Sequence, residues 1–259
     1  MSGGFKSYSS EENIPERLNL LKKVISDSDA DFVGLIDTFR WKEIFTPDDL
    51  RKNFGYDNVF CIDMEDIRLD KRIGLTILSK FDLNCEEIRI YNRNCIKSRI
   101  SLNGIEYTIF TIYLDDLSED IRLKESEALL VQAKRDKTIV IGDFNSFAKS
   151  DLDFIPKNFD KYLGKENTDF KKSLIKVIDE AKRGEVIELY QKAGFINGIP
   201  EFQPNIPSKL FPGKFNSPTM RVDYVLHSKD VRIRNTKVLI SDILDQTSDH
   251  FPIYFEIVE

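Results

Sequence analysis

Apolar positions along this chain switch repeatedly between two periods. Leu18, Leu21, Val24 and Ile25 recur three and four apart, which predicts a helix with one buried face. The run Asp31-Phe32-Val33-Gly34-Leu35-Ile36-Asp37 is instead short, continuous and closed by an acid, as in a buried strand with a polar residue at its end. Thr46-Pro47-Asp48-Asp49 predicts a helix start, with threonine as N-cap, proline in the first turn and acids facing the positive end of the dipole. Residues 73–78 and 105–114 read as strands. Ser118 reads as the cap of a helix running to about Lys134, and residues 138–143 as a buried strand that stops on Asp143. Phe170, Leu174, Val177, Ile178 and Ala181 form a core-facing helical stripe, followed by a short helix over 186–192 that ends near Gly194. Residues 199–219 carry five of the nine prolines and predict a loop over the surface or the mouth of a site. Strands over 222–226 and about 231–240 follow, and the last strand places Phe251, Ile253, Phe255 and Ile257 on one face.

Strands and helices alternate over the whole length, with no internal repeat and no linker rich in glycine, serine or proline. That organisation predicts one domain over 1–259, an α/β fold built as a four-layer sandwich with two central mixed β-sheets and helices outside. A hydrophobic content of 41% supplies a core and excludes disordered, collagen-like and low-complexity classes. No apolar run approaches the roughly 20 residues that span a bilayer. The opening Met1-Ser2-Gly3-Gly4-Phe5-Lys6 lacks the basic and apolar regions of a signal peptide, so the expected setting is the cytoplasm with no membrane partner.

Lys and Arg number 38 against 44 Asp and Glu, a net charge of −6. This disfavours a protein that tracks long duplex DNA through phosphate neutralisation, although a local basic cleft remains compatible with it. Cys61, Cys85 and Cys95 are odd in number and contain no CxxC pair, which fits free thiols in a reducing compartment better than disulfides or a zinc knuckle.

The candidate chemistry sits at strand ends: Asp37, then Gly142-Asp143-Phe144-Asn145, then Arg221-Val222-Asp223-Tyr224, then Ser248-Asp249-His250-Phe251-Pro252. One acid at a strand end is commonly a plain loop residue. Several carboxylates, an asparagine and a histidine, each beside a buried strand, can converge on one rim of a sheet. Such hard oxygen donors suit Mg²⁺ or Mn²⁺, and the histidine adds a group able to transfer a proton.

Gly142–Asn145, Arg221–Tyr224 and Ser248–Pro252 resemble, in order and spacing, the signature motifs of the endonuclease/exonuclease/phosphatase superfamily, the DNase I-like fold of apurinic-site endonucleases, inositol-phosphate 5-phosphatases and neutral sphingomyelinases. Residues 31–37 sit where that family has a strand ending in Leu-Gln-Glu, residues 73–80 resemble its Gly-x-x-Ile-Leu-Ser segment, and residues 107–115 match a further strand. The resemblance runs from about residue 14 to the C-terminus. It implies a metal-dependent phosphoester hydrolase in which Asp37 and Asp249 hold or neighbour the metal. Asp143 would orient or deprotonate the attacking water, Asn145 would hydrogen-bond the scissile phosphate, and His250 would contact the phosphate or act as base. Asp223 would fix the tautomer of His250, and Tyr113 would contact phosphate or simply pack. A phosphodiesterase or nuclease acting on nucleic acid or a nucleotide-like ester is the favoured reading. The alternatives are a phosphatase or phosphodiesterase of inositol-phosphate or sphingolipid type, and a catalytically impaired member that binds a phosphorylated ligand or a protein partner.

Two departures from the family pattern stand out. Asp37 is one methylene shorter than the family's Glu, which implies altered metal use. The family also opens with a strand ending in an Asn, whereas this chain opens at Met1-Ser2-Gly3-Gly4-Phe5, similar to the loop just after that Asn. The expectation is a start lying further upstream, which an intact mass from the native source matching residues 1–259 would refute. Among weaker signals, Arg89, Arg93, Lys97 and Arg99 could form a phosphate-recognition edge but read first as a solvated strand face. Arg40 and Trp41 could flank the cleft, though Trp41 reads first as a structural residue, as does His227.

Overall fold

A computed structural model describes residues 14–38, 40–66, 71–133, 136–157, 168–207 and 217–258. The elements run α1 (Ile14–Ser28), β1 (Phe32–Ile36), α2 (Trp41–Ile44), α3 (Pro47–Phe54), β2 (Asn58–Asp66), β3 (Lys71–Ser79), β4 (Asn84–Ile90), β5 (Arg93–Leu102), β6 (Ile105–Tyr113), α4 (Glu119–Gln132) and β7 (Thr138–Asp143). A 3₁₀ turn (Lys149–Phe154) leads to α5 (Thr168–Ala181), α6 (Glu185–Lys192), β8 (Ile196–Asn197), β9 (Asp223–His227), β10 (Arg232–Val238), α7 (Leu244–Thr247) and β11 (Ile253–Val258).

The period-2 alternation of the strands builds the layers. In β6, β7 and β9 the odd positions Ile109, Ile139 and Val225 face a second sheet, while the even positions Phe110, Ile112, Val140 and Leu226 face α4 and α6. In the opposite layer Ile73, Leu75 and Ile77 of β3 face inward, and Val33, Leu35 and Leu78 receive Leu21 and Ile25 of α1 and Leu50 of α3. The order is therefore helices, sheet, sheet, helices, a four-layer sandwich. One sheet is mixed and six-stranded, ordered β4-β5-β6-β7-β9-β8, with β6 and β7 parallel. Among the described strands the other layer is in two antiparallel pieces, β1-β3-β2 and β10-β11.

Sequence pattern located most of these elements. Thr46 forms a complete capping box with Asp49, and Gly55 closes α3 in the left-handed region. Strands β2, β4 and β5 escaped the pattern because charges interrupt their alternation; β4 is an edge strand carrying Glu86, Glu87 and Arg89 outward, which discourages edge-to-edge pairing. Ser118 occupies the N-cap of α4 but makes no side-chain cap bond. Asp115 instead fixes the turn leading into the helix, its Oδ1 accepting the N–H of Leu117 and of Ser118 at 2.8 Å each, and the N–H of Glu119 donates to Glu180 Oε2 at 3.0 Å. The predicted end near Lys134, the Phe170 side chain, the opening at Met1–Phe5 and residues 208–216 of the proline-rich loop lie outside the described residues.

Part of that loop is not a surface cover. Asn205 is fully buried and ties three segments together: its backbone oxygen accepts from Phe251, its Oδ1 accepts from Val222 N at 3.2 Å, and its Nδ2 donates to Asp223 O at 3.2 Å. The basic cluster also divides. Arg93 is buried, pairs with Asp116 at 2.9 Å and lies 4.4 Å from the Tyr113 ring centroid, whereas Lys97 and Arg99 both pair with Glu86. Trp41 is wholly buried and stacked 5.7 Å from Phe54, and His227 is buried with Nδ1 3.0 Å from Ser228 O, so both are structural residues.

Candidate active site

Strand register assembles the site. Tyr113, the last residue of β6, is the parallel partner of Asp143 at the end of β7, and Asp143 is the antiparallel partner of Asp223 at the start of β9. The three residues form one rung across three adjacent strands, so their side chains share a face. Gly142 permits the turn out of β7: its φ is +136°, and a Cβ there would lie 2.0 Å from Ile112 O. Asn145 follows in the left-handed region, and its N–H donates to Asp143 Oδ1 at 2.7 Å, locking that carboxylate.

His250 approaches the rung from the turn between α7 and β11, with Nδ1 2.8 Å from Asp223 Oδ2. Carboxylate oxygens of Asp143 and Asp223 and a ring nitrogen of His250 all lie within 4.8 Å of one another. Asp37, Tyr113, Asp143, Asp223, Asp249 and His250 all border one cavity of about 640 Å³. Six of the seven predicted site residues thus converge. Asn145 does not line that cavity, and its side-chain amide donates one hydrogen to Leu114 O at 2.9 Å, which ties the turn to the end of β6.

Electrostatics separate the roles. Burial raises Asp143, the neighbouring Asp223 raises it further, His250 opposes both, and the carboxyl ends at about 7. Burial would lower His250, but Asp223 and Asp249, with Asp143 behind them, push it up to about 10. The imidazole is therefore a cation at neutral pH, an arrangement able to bind phosphoryl oxygen and to supply a proton. Tyr113 is pushed well above its ordinary value, by burial first and the charge of Asp37 second, and stays neutral.

Asp249 Oδ1 is buried without a hydrogen-bond partner. An orphaned carboxylate oxygen in a wall that also holds Asp37 fits a divalent cation of the hard, oxygen-preferring kind.

The sequence profile of the endonuclease/exonuclease/phosphatase family matches residues 5–250. The chain belongs to that family. Several solved structures share its fold. An endonuclease/exonuclease/phosphatase family protein from Leptotrichia buccalis superposes with a TM-score of 0.63 at 13% identity, covering 98% of this chain and 96% of that one. A mannosyl-6-phosphatase from Bacteroides thetaiotaomicron gives 0.61 at 15%, covering 95% and 91%. The catalytic domain of human Nocturnin, with bound sulfate, gives 0.61 at 16%, covering 94% and 87%. At such identities the likeness is one of fold. No curated protein sequence is similar enough to match.

Two contributors carried no sequence signal. Asn205 holds the backbones on both sides of the Asp223–His250 pair, yet it sits between prolines in a segment of no periodicity. Arg17, on α1, donates to Thr247 O at 3.2 Å and feels the charge of Asp249, a contact across 230 residues that no local pattern encodes.

Behind the rung lies a buried polar scaffold. Glu119 Oε1 accepts from Ser146 Oγ and from the N–H groups of Glu185 and Val186, while Arg122 bonds Glu119 Oε2 and Asp115 O. Glu125 Oε2 accepts from Asp115 N, and burial pushes this carboxyl from 4.5 up to about 8. A carboxyl raised on folding contributes stability that is fully present below its unfolded value and lost as pH climbs through the folded one. The Glu125→Gln variant should therefore gain about 3–5 kcal/mol relative to the parent between pH 4.5 and pH 8, read from urea unfolding at each pH.

Proposed function

We propose that this chain is a divalent-metal-dependent phosphoester hydrolase, a single domain over 1–259 acting as a phosphodiesterase or nuclease on nucleic acid or a nucleotide-like ester. The observation that carries the reading is the His250–Asp223 pair aimed beside Asp143 at the edge of an open cavity. Family membership supports hydrolysis of a phosphoester, and the net charge of −6 favours a short or structured substrate over long duplex DNA.

Asp37 and Asp249 would hold Mg²⁺ or Mn²⁺, which when bound supplies Lewis-acid stabilisation of charge on the phosphoryl oxygens. Asp143, fixed by the Asn145 N–H and poised near neutral pH, orients a water and accepts its proton. His250, cationic and braced by Asp223, binds a phosphoryl oxygen and gives its Nε2 proton to the leaving group. Tyr113 borders the same space as a neutral hydroxyl. Three free cysteines, with Cys95 pushed by burial to about 12, fit a reducing cytoplasmic setting. Among the described residues no helix is long and apolar enough to cross a membrane.

Hydrolysis of bis(p-nitrophenyl) phosphate and of short labelled DNA and RNA, each with Mg²⁺, Mn²⁺ or EDTA, tests the proposal. Turnover should need the metal and vanish in EDTA, and calorimetric Mn²⁺ binding should weaken by about 10-fold or more in Asp249→Asn. Equal turnover in EDTA, or no turnover with any substrate, would reject it.

A further inference from the structure

Strand β1 ends irregularly beside the candidate site. Its pairing with β3 is regular as far as Ile36, which stands opposite Leu75. Beyond it Thr38 N donates to Gly74 O at 2.9 Å, so Asp37 and Thr38 together oppose the single residue Gly74. Two residues against one is the count of a β-bulge, a device that re-aims a side chain at the end of a strand. Asp37 is left-handed, with φ +56°, as the first residue of one bulge type is. Glycine usually fills such a position, and aspartate is among the few residues with a Cβ that tolerate it. The residue so turned borders the cavity, where its charge acts on Tyr113.

A sparsely populated backbone conformation persists only where its surroundings impose it, and here they act on the next residue, Thr38. Gly74 presents a bare Cα to it. A Cβ there would collide with Thr38 O and lie 2.8 Å from Thr38 Oγ1, so glycine is what lets the two segments close this tightly. The side chain of Thr38 is tied as well. Its Oγ1 lies 3.0 Å from Thr76 Oγ1, which in turn lies 3.0 Å from Cys61 Sγ. The three groups come from the end of β1, from β3 and from β2, where Cys61 is the registered partner of Thr76. Thr38 and Thr76 are buried, and Thr76 shares its face of β3 with Leu78, a position where packing alone asks for an apolar residue. A hydroxyl kept there needs partners, and Thr38 and Cys61 supply them. Burial pushes the Cys61 thiol up to about 11, so it stays protonated and able to donate.

We propose that Thr76, with Cys61 and Gly74, is a positioning residue for Asp37: the Cys61–Thr76–Thr38 chain clamps Thr38 against Gly74 and thereby holds the Asp37 carboxylate toward the cavity. None of Thr38, Cys61, Gly74 and Thr76 lines that cavity, so they act on the site through Asp37. Dependence on the backbone follows from the short side chain. Aspartate has one rotatable bond fewer than glutamate, so the place of its carboxylate is set more by φ and ψ than by a choice of rotamer. The proposal rests on the cation-holding role given to Asp37 above.

Thr76→Val removes the central hydroxyl at nearly constant shape, and Thr76→Ser keeps it. Two measurements on metal-free protein test the proposal: amide hydrogen exchange at residue 38 and calorimetric Mn²⁺ binding. In Thr76→Val the residue 38 amide should exchange about 10-fold faster and Mn²⁺ should bind about 10-fold more weakly, with both within about 2-fold of the parent in Thr76→Ser. Asp37→Asn should weaken Mn²⁺ binding in the parent and add little to Thr76→Val, because both act on the same ligand. Should Thr76→Val fold poorly, Thr38→Val combined with Thr76→Val strands neither threonine hydroxyl and carries the same expectations. Unchanged exchange and affinity overturn the proposal, as does an equal loss in Thr76→Ser or full additivity with Asp37→Asn. Faster exchange with unchanged Mn²⁺ affinity also overturns it, because the chain then only stabilises a strand end. A parent that binds no Mn²⁺ refutes the metal role of Asp37 instead, and exchange at residue 38 then decides alone whether the clamp exists.

Discussion

His250→Ala lowers kcat/KM for bis(p-nitrophenyl) phosphate by about 10²–10⁴-fold, the contribution of one positioned proton-transfer group. The loss follows from geometry. His250 is the cation of the cluster, and three carboxylates raise its proton affinity to about 10. Removing it deprives phosphoryl oxygen of a charge-assisted partner and leaves Asp223 and Asp143 facing one another without a counter-charge. His250→Asn separates the chemical role from the structural one. The amide can still bond Asp223 and hold the turn before β11, but it cannot carry a proton between groups. A variant that keeps the parent's Tm and loses as much activity as alanine assigns His250 to proton transfer. Full activity in His250→Asn would instead make it a bracing residue.

Asp151→Ala costs about 3–5 kcal/mol of folding stability in urea denaturation, far more than a surface substitution. Arg221 and Asp151 form a two-point pair, Nε to Oδ2 at 2.9 Å and Nη2 to Oδ1 at 2.8 Å, with both side chains about 1–2% exposed. Arg221 Nη1 also donates to Ile199 O and Glu201 O. The Tyr224 hydroxyl accepts from Ala148 N at 2.8 Å and lies 3.3 Å from Asp151 Oδ2. Truncating the acid strands a guanidinium in a dry interior, and the desolvation already incurred is no longer offset. Because the pair bolts the segment after Asn145 to the residues before Asp223, kcat should fall along with stability. A stability loss under 1 kcal/mol would show that water reaches the guanidinium in solution.

The chain shows how different parts of one site differ in legibility. Asp37, Asp143 and Asp223 stand out along the sequence because each places a charged group at the end of an apolar strand run. The order of strands and helices was readable for the same reason, since burial on one or both faces imposes period 2 or 3.6 on the residues themselves. Strands β2 and β4 were hidden because an edge strand is under pressure to carry charge, which erases the signal. Strand β5, paired on both sides, was hidden because Arg93, Lys97 and Arg99 interrupt its alternation.

Other features arise only from strand register and long-range packing. The Tyr113–Asp143–Asp223 rung depends on pairing between segments 30 and 80 residues apart. The fate of the basic cluster depended on which side chain found a partner: Arg93 turned inward onto Asp116 and Tyr113, while Lys97 and Arg99 stayed with Glu86. Asn145 carried the right type at the right spacing, and only the structure shows that one hydrogen of its amide goes to Leu114 O.

By itself the sequence determined the layer scheme, the places where strands stop, and the residue types able to hold a metal and move a proton, because local periodicity and side-chain chemistry are properties of short segments. Only the tertiary structure decided which of those groups meet and how their charges shift one another. Those outcomes depend on distances between residues remote along the chain, and no short segment contains them.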